Sequence, residues 1–276
     1  MLIHGKIFSL DRPVVMGIIN ITPDSFYAAS RKRTAAEIAS QAEKMLSDGA
    51  AILDIGACST RPGCAEVSAG EEMSRLLPAL KAVREVSADA VISVDTFRAD
   101  VARRSVEDYS AGIINDVSGG CDSEMFATVA DLHVPYVLSH IQGPVREMQN
   151  NCRYADLVPD MLRFLAERLQ QLHLMGVADV IVDPGLGFSK TVEQSWEVLA
   201  NLDVFASLGC PVMTGLSRKS MLWKPLGITA EEALNATTAA HLLALQGGAS
   251  ILRAHDVKEA AQTISIYNLA AGHRKQ

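Results

Sequence analysis

Eight sites along this chain carry side chains fit for chemistry, and each follows a short apolar run. They are Asn20, Asp54, Asp95, Asn115, His140 with Gln142, Asp183, the cluster Ser217, Arg218 and Lys219, and Arg253 with His255. Any one of them reads equally well as a helix cap or a turn-closing residue. All eight together point to one polar pocket. Asp54, Asp95 and Asp183 with the amides of Asn20 and Asn115 suit a ligand rich in N–H donors, while Arg61, Lys219, Arg253 and His255 suit an anion. A flat nitrogen heterocycle carrying phosphate would use both sets.

Such residues must be positioned by regular elements. The apolar runs lie at 13–19, 51–55, 90–94, 112–115, 134–139, 179–183, 211–215 and 250–253. They read as continuous, not alternating, which is the pattern of parallel strands buried on both faces. Between most of them the apolar residues take a helical period, as at Ile38, Ala42, Met45 and Leu46, or Leu234, Thr238, His241, Leu242 and Leu245. Thr34 with Glu37, Ser68 with Glu71, Thr191 with Gln194 and Thr229 with Glu232 have capping-box spacing at expected helix starts. Alternating strands and helices with eight strands favour an α/β fold, a closed (β/α)₈ TIM barrel, over a doubly wound sheet. The reacting groups of such a barrel sit at the C-terminal ends of its strands, where these polar residues fall. The first ten residues are expected to form a hairpin closing the barrel bottom.

The chain has 276 residues, and its 49% hydrophobic content is enough for one large core, so 1–276 is read as a single domain. A net charge of −7 argues against a nucleic-acid or membrane-surface binder, which needs a basic face. No run approaches the roughly 18 apolar residues of a membrane span, and the N-terminus lacks a signal-peptide layout. A cytoplasmic location is expected. Five scattered cysteines without a Cys-x-x-Cys pair suggest neither a disulfide framework nor a zinc site.

Within 183–190, DPGLGFSK lacks the third glycine of a dinucleotide fingerprint and the ending of a P-loop. Its glycines instead let backbone and Phe188 approach a ring; a loop phenylalanine packed on the barrel rim is the plainer alternative. Lys219 near a strand end also fits a Schiff-base lyase, although Ser217 and Arg218 beside it favour an anion and hydrogen-bonding group. His133 and His241 read as structural, and 30–33 (SRKR) as a solvated loop. In 52–66, Asp54 is expected at the rim, with Gly56 permitting the turn. Cys58 has no neighbour in sequence to lower its pKa.

In order, MGIINITPDSF (16–26), DIGACSTRPG (54–63), SVDTF (93–97), INDVSGG (114–120), SHIQG (139–143), DPGLGFSK (183–190), GLSRKSM (215–221) and RAHDV (253–257) resemble the motifs of the dihydropteroate synthase family. The resemblance runs from about residue 14 to 270. It implies that 6-hydroxymethyl-7,8-dihydropterin pyrophosphate condenses with p-aminobenzoate, with Mg²⁺ assisting, to give 7,8-dihydropteroate and pyrophosphate. It implies inhibition by sulfonamides and a homodimer as well.

Carried over by position, the resemblance assigns Asp95, Asn115, Asp183 and Lys219 to the pterin, with Arg253 stacking along its face. Asn20 matches a Mg²⁺-associated asparagine; Arg61, Arg253 and His255 match pyrophosphate contacts, with Asn20 beside them. Thr60, Pro62, Phe188 and Ser220 match positions near p-aminobenzoate. Catalysis is then expected from Arg253, His255, Lys219 and Arg61. The chain departs from the family at Ala57 and Cys58, where Gly-Glu is usual, at FYAAS in the first loop, and at SHIQG. A corrinoid methyltransferase with a similar pterin floor is a competing reading, opposed by the STRPG and SRKS loops. A pterin-binding paralogue without turnover is another.

Overall fold

A computed structural model describes residues 1–21, 34–58 and 67–273. An antiparallel hairpin of β1 (Leu2–Ile3) and β2 (Lys6–Ile7) precedes the barrel. His4 and Gly5 both have positive φ, 49° and 73°, as a two-residue type I′ turn demands. The barrel follows as β3 (Val14–Asn20), α1 (Ala35–Ser47), β4 (Ala50–Gly56), α2 (Ala69–Val86), β5 (Val91–Asp95), α3 (Ala99–Tyr109) and β6 (Ile113–Asp116). It continues with α4 (Met125–Leu132), β7 (Tyr136–Ser139), α5 (Leu157–Leu174), β8 (Val180–Asp183), α6 (Val192–Ala200), β9 (Val212–Gly215), α7 (Ser220–Leu226), α8 (Leu234–Gln246), β10 (Ala249–Ala254) and α9 (Val257–Gly272). The strands from β3 to β10 pair in parallel, and β10 returns to β3 to close the barrel. All eight apolar runs of the sequence are barrel strands.

Two apolar layers hold this together. Outward residues such as Val15, Ile19, Leu53, Ile55 and Ile92 pack against helix residues such as Ile38, Met45, Leu76 and Leu80. Inside, Met16, Ile52, Ile113, Val137, Ile181, Met213 and Ile251 form a separate layer, and Ile3 of the hairpin joins it from below. Gly112 makes room for that plug: a Cβ there would lie 2.7 Å from Ile3 Cγ2. The amide of Leu2 donates to Asp179 Oδ2 at 2.7 Å, tying the hairpin to the start of β8.

Side chains two residues apart on a strand face the same way. The residues one pleat above this inner apolar layer are therefore Ile18, Asp54, Asn115, Ser139, Asp183, Gly215 and Arg253. The register sets their heights, pairing Asp54 with Ser93, Asp95 with Asn115, and Ser139 with Asp183. The polar pocket thus rests on an apolar floor.

Helix starts follow the caps in three cases. Thr34 and Thr191 form reciprocal capping boxes with Glu37 and Gln194, and Ser68 accepts from the amide of Glu71. Thr229 and Glu232 make both box hydrogen bonds too, but they close a turn, and α8 begins only at Leu234. The buried face of α8 is Thr237, Ala240, His241, Ala244 and Leu245, so His241 is internal, as expected.

Candidate active site

Arg253 is the centre of the polar layer. From β10 it crosses the barrel, donating through Nε to Asp54 Oδ2 on β4 at 2.6 Å and through Nη2 to Asp95 Oδ2 on β5 at 2.7 Å. Asn115 Nδ2 on β6 donates to the same Asp54 oxygen at 3.0 Å. Four strands therefore share one network. Burial opposes the charge on Arg253, but Asp54 and Asp95 outweigh it and hold the guanidinium protonated.

Asp54 is fully buried, below the rim where the sequence reading put it, and its Oδ1 has no partner among the described residues. Burial and then the negative charge of Asp54 hold the Asp95 carboxyl up at about 7, against the pull of Arg253. A carboxyl poised there can change charge near neutrality. Asp183 is also raised by burial, with Lys219 acting in the opposite direction; its Oδ1 accepts from the amide of Gly185 at 2.8 Å.

Gly56 has a role different from the expected turn. It ends β4 in extended pairing, and a Cβ there would stand 3.3 Å from Asp95 Cβ, 3.5 Å from Asp95 Oδ2 and 3.6 Å from Asn20 Oδ1. The missing side chain leaves open space between the carboxylate of Asp95 and the amide of Asn20.

Lys219 enters from the opposite wall. Arg218 takes a left-handed φ of 55° and is fixed there by two hydrogen bonds to Asp256, at 2.9 and 3.0 Å, and one to the Ala230 carbonyl at 3.0 Å. Arg218 therefore braces the loop, a structural role added to the anion-binding one suggested by its position. Next to it, Lys219 Nζ donates to the Leu186 carbonyl and lies 4.3 Å from the centre of the Phe188 ring. Burial lowers its pKa to about 8, with Asp183 resisting the shift. Phe188 is thus a cation–π partner of Lys219 as well as a rim residue.

His255 stands apart from Arg253, two residues away in sequence. It is exposed past the end of β10, its amide and Nδ1 lying 3.2 and 3.1 Å from Ser217 Oγ. Ser220, half-buried, opens α7 immediately after Lys219. Thr60, Arg61 and Pro62 lie outside the described residues, as does the 30–33 cluster.

Asp54 is among the candidates read from the sequence, but its partner Arg253 reaches it only when the barrel closes. One group escapes that reading. Lys190, at the end of the DPGLGFSK run, is almost wholly buried and donates to His140 Nδ1, Gly185 O and Phe188 O at 3.0, 3.1 and 3.0 Å. No periodicity or spacing signal marks it; only the apolar cost of burying a lysine does, once the fold is known. Cys58 contacts Arg98 Nη1 at 3.4 Å, and burial, helped by Glu72, pushes its thiol up to about 12. This agrees with its reading as unreactive.

Acid, amide and base side chains converging at the C-terminal mouth of a closed β/α barrel define an enzyme site for a small polar molecule. A family model described as a pterin binding enzyme matches residues 16–255. The dihydropteroate synthase of Haemophilus influenzae is 37% identical over 270 residues, covering 97% of this chain and 98% of the relative. That of Escherichia coli K12 is 35% identical over 265 residues, 95% of this chain and 93% of the relative. Among solved structures, Yersinia pestis dihydropteroate synthase with a sulfonamide drug complex superposes with a TM-score of 0.94 at 34% identity, covering 99% of each chain. The Xanthomonas albilineans enzyme with 4-aminobenzoic acid gives 0.89 at 37% identity, covering 98% of this chain and 97% of the other. The chain belongs to the pterin-binding enzyme family and, within it, to the dihydropteroate synthases, which are transferases.

Proposed function

We propose that this chain, read as one barrel over 1–276, joins 6-hydroxymethyl-7,8-dihydropterin pyrophosphate to p-aminobenzoate through the pocket above Arg253. The observation that carries this is the convergence of two carboxylates on Arg253, with Asp95 paired to it at 2.7 Å and Asp183 in the field of both Arg253 and Lys219: carboxylates accept from the aminopyrimidinone edge of a pterin, and an ammonium donates to its acceptors. Asn115 adds an amide, and Arg253 supplies a cationic surface beneath the ring. Phe188 and Ser220, with Thr60 and Pro62, take the p-aminobenzoate side. Arg61, Arg253, His255 and Asn20 take the pyrophosphate.

Asn20 fits the role of a Mg²⁺ ligand. Its oxygen faces the gap beside Gly56, and one neutral amide suits an ion that keeps several waters and shares substrate phosphate oxygens. When bound, Mg²⁺ would share the charge of the departing pyrophosphate. The aromatic amine is already neutral and nucleophilic near pH 7, so this chain needs no strong general base. Cleavage of the C–O bond runs ahead of C–N bond formation, because the dihydropterin spreads positive charge away from its exocyclic carbon. Arg253, His255 and Arg61 stabilise the leaving group, and the remaining contacts align the amine.

Three further assignments belong to this reading. A homodimer is supported by apolar side chains left exposed on adjacent helices, Leu243 on α8 with Ile266 and Leu269 on α9. A cytoplasmic location accords with the absence, among the described residues, of a helix long and apolar enough to cross a membrane. Inhibition by sulfonamides follows from their likeness to p-aminobenzoate. Incubation with the pterin pyrophosphate, p-aminobenzoate and Mg²⁺ tests the reaction: equal amounts of pyrophosphate and dihydropteroate are expected, and pterin binding without either product contradicts it.

A further inference from the structure

The turn at 183–190 is held to the rest of the barrel at several points. Ser189 Oγ and the backbone of Gln142 exchange two hydrogen bonds at 2.9 Å, and Tyr154 Oη donates to the Ser189 carbonyl at 2.7 Å. Gly187 N donates to Ser195 Oγ at 3.2 Å. Gly185, at φ 67°, has no space for a side chain, since a Cβ would sit 2.2 Å from the His140 carbonyl. Lys190 stands beneath this turn. Burial lowers the Lys190 pKa to about 7, with Asp183 resisting; as an ammonium it has three N–H donors, and the structure gives it three acceptors: two carbonyls of the turn, at Gly185 and Phe188, and the ring nitrogen of His140 beyond β7.

Lys190 makes no hydrogen bond to a side chain assigned to a substrate; its contact with Phe188 is to the backbone carbonyl. What it fixes is the stretch 185–188, which supplies both surroundings of the Lys219 ammonium, the Leu186 carbonyl and the Phe188 ring. His140 is itself packed edge-on against Phe164, with ring centres 4.9 Å apart, so the anchor is rigid. Burial keeps His140 neutral, which leaves Nδ1 able to accept.

We propose that Lys190, anchored on His140, is a positioning residue for the reaction: it sets the 185–188 turn and thereby places Phe188 and Lys219 against the two substrates. The proposal rests on the reading of the reaction given above. A clamp that only stabilised the fold would change the amount of folded protein and leave the affinity of each folded molecule alone. A positioning clamp changes affinity in protein that is still folded.

The experiment compares wild type with Lys190→Met, His140→Leu and His140→Asn in steady-state assays on the full chain, with thermal unfolding followed in parallel. Asn places an oxygen near the position of Nδ1 and can still accept from Lys190. For folded Lys190→Met, KM for both substrates is expected to rise about tenfold or more, with kcat changed much less, because displaced contacts are lost in binding. His140→Leu should move in the same direction and His140→Asn should stay near wild type. Wild-type KM values in folded Lys190→Met overturn the proposal, as does a loss confined to the folded fraction. Should Lys190→Met not fold, the two His140 variants decide: a shift in Leu restored in Asn supports the clamp, and equal behaviour of the two defeats it. An inactive wild type defeats the reading of the reaction instead, and calorimetric binding of dihydropterin pyrophosphate to the same variants still tests the clamp.

Discussion

Arg253 Nε on the last strand of the barrel donates to Asp54 Oδ2 on the second at 2.6 Å, across 199 residues of sequence. The bond forms only when the barrel closes, so it joins the integrity of the fold to the layout of the site. Asp54→Ala removes the partner of a buried cation and an acceptor for Asn115. Removing one member of a buried pair costs about 3–5 kcal/mol. We expect a loss of about 3 kcal/mol in denaturant unfolding, and a loss under about 0.5 kcal/mol contradicts the network.

Asp95 and Arg253 share an ion pair but have different tasks. Asp95→Asn keeps the shape and loses the charge that accepts from a pterin, so KM for the pterin should rise about tenfold with a smaller change in kcat. Arg253→Ala removes charge stabilisation from the departing pyrophosphate, and kcat should fall about a hundredfold or more. Steady-state kinetics on both variants distinguish these outcomes. Small and equal effects from the two contradict the pocket assignment.

The pH profile follows from the same geometry. Asp95 is held up at about 7 and accepts hydrogen bonds when ionised, so activity should rise as pH increases through that value. Lys219 is held down at about 8 and donates when protonated, so activity should fall as pH passes it. A narrow bell in kcat/KM is expected. Asp95→Asn should remove its acid limb and leave the alkaline one; a profile flat from about pH 6 to 9 contradicts both assignments.

Arg98 joins the described residues on either side of 59–66. It contacts Cys58 Sγ at 3.4 Å and the Val67 carbonyl at 2.6 Å, and its charge pairs with the fully buried Glu72. Burial with Glu72 nearby raises the Cys58 thiol to about 12, whereas Cys121 is exposed. Iodoacetamide near pH 8, followed by mass spectrometry of intact folded protein, should label Cys121 at least about tenfold faster than Cys58, because the thiolate is the reacting form. Glu72→Gln should narrow that difference, and faster labelling of Cys58 in the wild type contradicts the arrangement.

Much of this was legible in the residues. The strands announced themselves because both of their faces are buried, so no polar alternation interrupts them. The pocket was legible because a barrel gathers its strand ends. What the sequence hid depends on closure or on burial. Nothing near Asp54 distinguishes it from a helix-capping aspartate, and its partner comes from the other end of the chain. Gly56 reads as a turn residue, although its use is the space between Asp95 and Asn20. Lys190 reads as a loop lysine, although it is buried under the turn it organises. The Thr229–Glu232 pair shows the reverse error, a capping signal whose hydrogen bonds form without a helix beginning there.

The most direct measurement is a crystal structure of this chain with 6-hydroxymethyl-7,8-dihydropterin pyrophosphate bound. The pterin edge is expected between Asp183, Asn115 and Lys219, with Asp95 beside it and Arg253 against its face, and the pyrophosphate toward Asn20 and His255. A pterin bound elsewhere, with Asp95, Asp183 and Lys219 untouched by it, would contradict this pocket.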